Sequence, residues 1–96
     1  MKIKKIASTL IITVGMTLPC VTALADTVNT PSGGRWNYGV GGDKVWSNYD
    51  HDNREHKSTA VGKTTYESGW TDPGETSYAS TTAAWMGNKA YYDDRA

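Results

Sequence analysis

From Gly34 to Tyr49, bulky and polar residues alternate in two short runs that meet at Gly41-Gly42, the signature of a β-hairpin. Alternation sets Trp36, Tyr38 and Val40 on one face of the first strand, with Arg35 and Asn37 on the other. Two registers are open. With Gly41-Gly42 as a two-residue loop, Tyr38 faces Val45 and Trp36 faces Ser47. With Gly42-Asp43 at the tip of a four-residue loop, Trp36 faces Tyr49 and Val40 faces Val45. Both pair even positions with odd ones, so the same side chains share a face in either.

The rest of the chain continues in strand-sized pieces. Asp26 to Gly33 is polar, carries Pro31 and Gly33, and reads as a flexible lead-in. Asp50 to His56 has no apolar residue and reads as a solvated loop between strands. Lys57–Val61 and Thr64–Ser68 are β-compatible and joined at Gly62-Lys63, which places Thr59 and Val61 on the face of Tyr66; Gly62 could equally mark a bulge. Asp72-Pro73-Gly74-Glu75 predicts a type II turn, proline presetting the first central position and glycine permitting positive φ at the second. The alanines of Thr76–Met86 would suit a helix, but its serines and threonines are poor helix formers, and a strand is expected. Gly87-Asn88 then predicts a hairpin returning Lys89–Tyr92 alongside, before the charged end Asp93–Ala96. Regular spacing of strands and turns predicts an all-β fold over residues 34–96, a small antiparallel β-sandwich or a small barrel.

The amino end reads differently. Lys2, Lys4 and Lys5 precede an apolar run from Ile6 to Leu18, Pro19 breaks it, and Ala23-Leu24-Ala25 offers small residues at both positions read by signal peptidase. Residues 1–25 are therefore expected to be an export signal, helical or disordered in the precursor and cleaved near Ala25, leaving an extracellular chain with no membrane-spanning segment. Cleavage removes the single cysteine, Cys20, and three of ten basic residues while all ten acidic ones stay, for a formal charge of −3. That balance argues against nucleic acid and against simple adsorption to anionic lipid.

Past Leu24 the chain has no leucine, isoleucine or phenylalanine, so its core must come from tryptophan, tyrosine, three central valines and alanine filler. No cofactor is expected. His51 and His56 sit among Asp50, Asp52 and Glu55, but their spacing fits neither a zinc helix nor a calcium loop, and no metal is expected. With no cysteine, no nucleophile elbow and little apolar material to enclose a substrate, the exported chain is not expected to be an enzyme. Most of the large aromatics must be core, yet a fold this small cannot bury them all. Surplus rings suit sugars or the membrane–water boundary.

Trp36-x-Tyr38-Gly39-Val40, Val45-Trp46-Ser47-Asn48-Tyr49, the histidine-bearing loop, Ser58–Gly62, Ser68-Gly69-Trp70 and Tyr91-Tyr92, in that order and spacing, resemble the lactococcin-972 family of secreted bacteriocins. The resemblance covers about Gly34 to Tyr92; the acidic ending Asp93–Ala96 departs from the more aromatic family ending. It implies a disulfide-free β-sandwich that inhibits related Gram-positive bacteria, blocking septum formation by binding the wall precursor lipid II without pores, with dedicated immunity or transporter proteins as further partners. Trp36, Tyr38, Trp46, Tyr49, His51 and His56 are the expected ligand contacts, basic residues near the histidine loop meeting a pyrophosphate. The rival expectation is an exported module that attaches to wall glycan without killing.

Overall fold

The computed structural model describes residues 12–16 and 24–95, all of them strand, turn or loop. Eight strands form: β1 (Ile12–Met16), β2 (Leu24–Asn29), β3 (Arg35–Gly41), β4 (Lys44–Asp50), β5 (Glu55–Val61), β6 (Thr65–Glu67), β7 (Thr76–Thr82) and β8 (Asn88–Arg95). They make two four-stranded sheets, one ordered β1-β8-β5-β6 and the other β2-β3-β4-β7, with antiparallel pairing throughout. The expected export signal lies largely outside the described residues. Within it, Ile12–Met16 is a strand rather than helix or disorder, and it covers the edge of β8. An edge strand offers a row of unpaired amides and carbonyls, and β1 pairs with the row that β8 presents.

The β3–β4 hairpin takes the second register, with Trp36 opposite Tyr49 and Val40 opposite Val45. Its ladder continues to Gly41 opposite Lys44, so the loop is only Gly42-Asp43, with φ of +53° and +71°. Two consecutive positive φ values make a type I′ turn, whose twist matches that of the strands it joins. The turn at Asp72–Glu75 also forms as expected, Gly74 sitting at φ +89° and the Glu75 amide donating to the Asp72 carbonyl at 3.2 Å.

Three expectations give way to the structure. Tyr66 pairs with Ala60 instead of sharing a face with Thr59 and Val61, because Gly62–Thr64 forms a three-residue connection. Thr76–Thr82 is a strand, but β7 and β8 do not form a hairpin: β7 pairs with β4, β8 with β5, and the chain crosses between sheets. The expected flexible lead-in supplies β2 and a Thr30–Gly33 turn, closed by the Gly33 amide donating to the Thr30 carbonyl at 3.0 Å.

The two inner faces meet over an aromatic core of Trp36, Tyr49 and Tyr92, with Val40, Val45 and four alanines filling around them. Ring centroids lie 4.9 Å apart for Trp36–Tyr92 and 4.6 Å for Tyr49–Tyr92, both tilted. This geometry suits the ring quadrupoles and adds to area burial. The alanines follow from it: where three large rings fill a thin slab, facing positions must be small.

Candidate functional site

The histidine loop is solvated only in part: Asp52 and Asn53 are exposed, but its two imidazoles are not. His51 and His56 are both buried, as are Trp36 and Tyr49 among the expected ligand contacts. His51 Nδ1 accepts from the backbone amides of Asn53 and Arg54, each at 3.1 Å, leaving Nε2–H to donate to the Ser32 carbonyl at 3.1 Å. His56 is clamped between two carbonyls, Nδ1 against Arg54 at 2.7 Å and Nε2 against Glu75 at 2.6 Å. Carbonyls only accept, so the ring can meet either of them only as a donor. Every ring nitrogen of the two histidines already faces a protein partner. These rings lock the Asp50–His56 loop onto the turn after Asp72 and the segment before β3.

Beside them Asp94, fully buried on β8, gathers donors from three parts of the chain. Tyr49 Oη donates at 2.6 Å, Ser32 Oγ at 2.8 Å and the Arg54 guanidinium at 3.1 Å. Burial, reinforced by the Asp94 hydrogen bond, pushes the Tyr49 phenol far above its ordinary value of 10.0. A raised phenol gives stability that is complete below the unfolded value and lost as the pH rises towards the folded one. Alkaline denaturation is therefore expected to steepen above about pH 10. Tyr49→Phe should weaken the neutral-pH fold yet lose that alkaline component in circular-dichroism titrations.

With four of the six expected contacts sealed inside, surface chemistry falls to other residues. Trp46 is half-buried on the outer face of the β2-β3-β4-β7 sheet, its Nε1–H donating to Asn37 at 2.9 Å. Asn37 pairs with Asn48 and Asn48 with Tyr78, which is 67% exposed, so amides and two aromatic rings share one shallow face. Tyr38 is half-buried on the inner face against Trp36.

The opposite sheet carries a groove of about 530 Å³ on its outer face, lined by Lys57, Thr59, Val61, Lys89, Tyr91 and Asp93 among others. Its size is that of a small-ligand site. The sequence reading missed it, because none of the expected contacts falls on β8 or on the outward face of β5. Its signal was the alternation Lys57-Thr59-Val61 and Lys89-Tyr91-Asp93, which puts two cations and a ring on one face. Burial pushes the Asp93 carboxyl above its usual value, against the pull of Lys57, and among the described residues its Oδ1 has no hydrogen-bond partner. Nearby, the Arg95 guanidinium stacks 3.9 Å over Trp70 and Lys57 Nζ lies 5.0 Å from the same ring, fixing Trp70 against the sheet.

The family model described as Bacteriocin (Lactococcin_972) matches residues 32–92, which include every strand from β3 to β7 and most of β8. The chain belongs to this bacteriocin family. No curated protein and no solved structure matches it. In this bacteriocin the matched span begins at Ser32 and ends at Tyr92, and so holds both histidines, Tyr49 and the aromatic core. Among the described residues no helix is long and apolar enough to cross a membrane, a statement that leaves strands aside.

Proposed function

We propose that this bacteriocin is secreted, and that it arrests wall and septum synthesis in related Gram-positive bacteria by binding lipid II without forming pores. Family membership is the observation that carries the reading. The groove over β5 and β8 is where the ligand binds: Lys57 and Lys89 meet the pyrophosphate, and Tyr91 stacks on a sugar. None of its named lining residues belongs to the export signal, so cleavage near Ala25 keeps them all in the chain, while it takes β1 from the edge of β8. Binding of this kind needs no catalytic group, and the protein acts as a non-enzymatic ligand trap.

The test is growth of sensitive cocci exposed to protein collected from the medium of an expressing strain. Arrest at micromolar dose, with septa missing and the membrane potential intact, is the expected result. Pores would collapse the potential. Lys57→Gln with Lys89→Gln should lower affinity for purified precursor about tenfold or more, two charge-assisted contacts being lost.

A second reading draws on the face of Trp46, Asn37, Asn48 and Tyr78, where rings and amides suit sugar stacking. On that reading the protein attaches to wall glycan without killing. Adsorption to intact peptidoglycan with no arrest and no affinity for the precursor would favour it.

A further inference from the structure

Three connections come together at one end of the sandwich: the Gly42-Asp43 turn, the Gly62–Thr64 link and the Ala83–Gly87 crossing between sheets. Backbone bonds tie them. The Lys63 amide donates to the Thr82 carbonyl at 2.9 Å, and the Ala83 amide to the Asp43 carbonyl at 2.8 Å. Out of this end project Trp85 and Met86, 76% and 63% exposed.

The prong is held, not frayed. Asn88 is fully buried, and its side-chain amide accepts from the Ala84 amide at 2.6 Å and donates to the Ala84 carbonyl at 2.9 Å. That ring of bonds closes the loop beneath Trp85 and Met86, while buried Ala83 anchors its start. A large apolar pair fixed in water has no intramolecular reason to be there.

Charge is sorted in the same way. Among the described residues Arg35, Arg54, Lys57 and Arg95 each form a salt bridge. Lys44, Lys63 and Lys89, all exposed, form none, and all three stand at this end: Lys44 opposite Thr82, Lys63 bonded to Thr82, and Lys89 opposite Val61. Asp43 is the one carboxylate within the three connections. The other end holds Asp50, Asp52, Glu55, Asp72 and Glu75. The negative total expected for the exported chain therefore hides a polarised molecule with a basic, aromatic tip.

The geometry points to this tip as a membrane-docking surface, by which the protein stands on an anionic bilayer. Trp85 and Met86 enter the headgroup layer, and Lys44, Lys63 and Lys89 meet lipid phosphates. Tryptophan favours that interface for its amphipathic ring, and lysines near an anionic surface are drawn to it. The bound protein is peripheral, since a two-residue prong reaches only the headgroup region. Lys89 belongs both to this tip and to the groove, so docking brings the groove's mouth to the lipid surface. Docking requires no ligand in the groove, and it stands or falls apart from the lipid II reading.

Sedimentation with vesicles that contain no wall precursor tests it, using protein released into the medium by expressing cells. Vesicles of equal parts phosphatidylglycerol and phosphatidylcholine should bind it at low salt, those of phosphatidylcholine alone much less, and added salt should release it. Trp85→Ser should cut partitioning about tenfold, the loss of one buried large side chain. Replacing Lys44, Lys63 and Lys89 together by glutamine should cut it about a hundredfold, near fivefold for each cation. Tyr78→Ser, removing an equally exposed ring elsewhere, should leave it unchanged, and far-UV circular dichroism should show each variant folded. Brominated lipid should quench wild-type emission more than that of the Trp85 variant. Failure to bind anionic vesicles, or binding that survives both tip variants or falls equally with Tyr78→Ser, overturns the proposal. Because neither cells nor precursor are present, a failed killing assay leaves a positive vesicle result standing.

Discussion

Asp94→Ala is expected to unfold most of the protein at room temperature, at a cost of about 3–5 kcal/mol. The carboxylate sits fully buried and takes hydrogen bonds from Tyr49, Ser32 and Arg54, which belong to β4, the turn before β3 and the loop before β5. Removing it leaves the Arg54 guanidinium without its counter-ion and two hydroxyls pointing at a void. Each donor left unsatisfied in that setting costs more than the bond it made was worth. A domain of this size, with a single cysteine and so no internal disulfide, has only about 3–5 kcal/mol from its core to lose. Urea unfolding followed by circular dichroism measures the effect. Asp94→Asn should lose less, because its amide oxygen still accepts from Tyr49. If the alanine variant melted within a degree or two of wild type, the carboxylate would not be the fastener described here.

How much of this was legible beforehand depends on how far apart in sequence the partners lie. The hairpin, its two candidate registers and the Asp72–Glu75 turn rest on neighbours a few residues apart, and there the alternation and turn residues were sufficient. The histidine loop shows the limit. Its polarity implies solvent, but Ser32 and Glu75 carbonyls reach His51 and His56 from 19 residues away on either side, and nothing local announces them. Asp94 looked like part of a charged tail for the same reason, since its Tyr49 partner is 45 residues distant. Gly87-Asn88 signals a tight hairpin turn, but the chain reverses over five residues, Ala83–Gly87, and enters the opposite sheet. Buried Asn88 serves the loop and not a hairpin.

The expected contacts failed to reach the surface by a related logic. Alternation identifies which residues share a face, not which face a second sheet will cover. Trp36, Tyr38 and Tyr49 share one face of the hairpin, and β8 brings Tyr92 against it. Trp46, on the reverse, stays half-open. Three of the four hairpin rings expected to bind lie on the covered face. In a chain without leucine, isoleucine or phenylalanine past Leu24, that bulk is what the core is made of.

Trp36→Ala should be the second severe lesion, costing about 3–5 kcal/mol. The indole occupies the middle of the slab, 4.4 Å from Tyr38 and 4.9 Å from Tyr92 between ring centroids. Its neighbours are rings and alanines already bonded in place, so the cavity has little with which to fill itself. The indole also starts a polar relay between the sheets: Nε1–H donates to Ser47 Oγ at 2.9 Å, and Ser47 Oγ donates to the Tyr91 carbonyl at 2.7 Å. Trp36→Phe keeps most of the ring and removes the donor, and should cost about 1–2 kcal/mol, a bond's worth plus a small void. Near-UV circular dichroism should fall sharply for the alanine variant and modestly for phenylalanine. Because Trp36 touches Tyr92, and Tyr92 touches Tyr49, the Asp94 and Trp36 lesions share a wall of the core and should not add. A double variant no worse than the more damaged single one would show aromatic stack and buried carboxylate failing as one unit, whereas strict additivity would separate them.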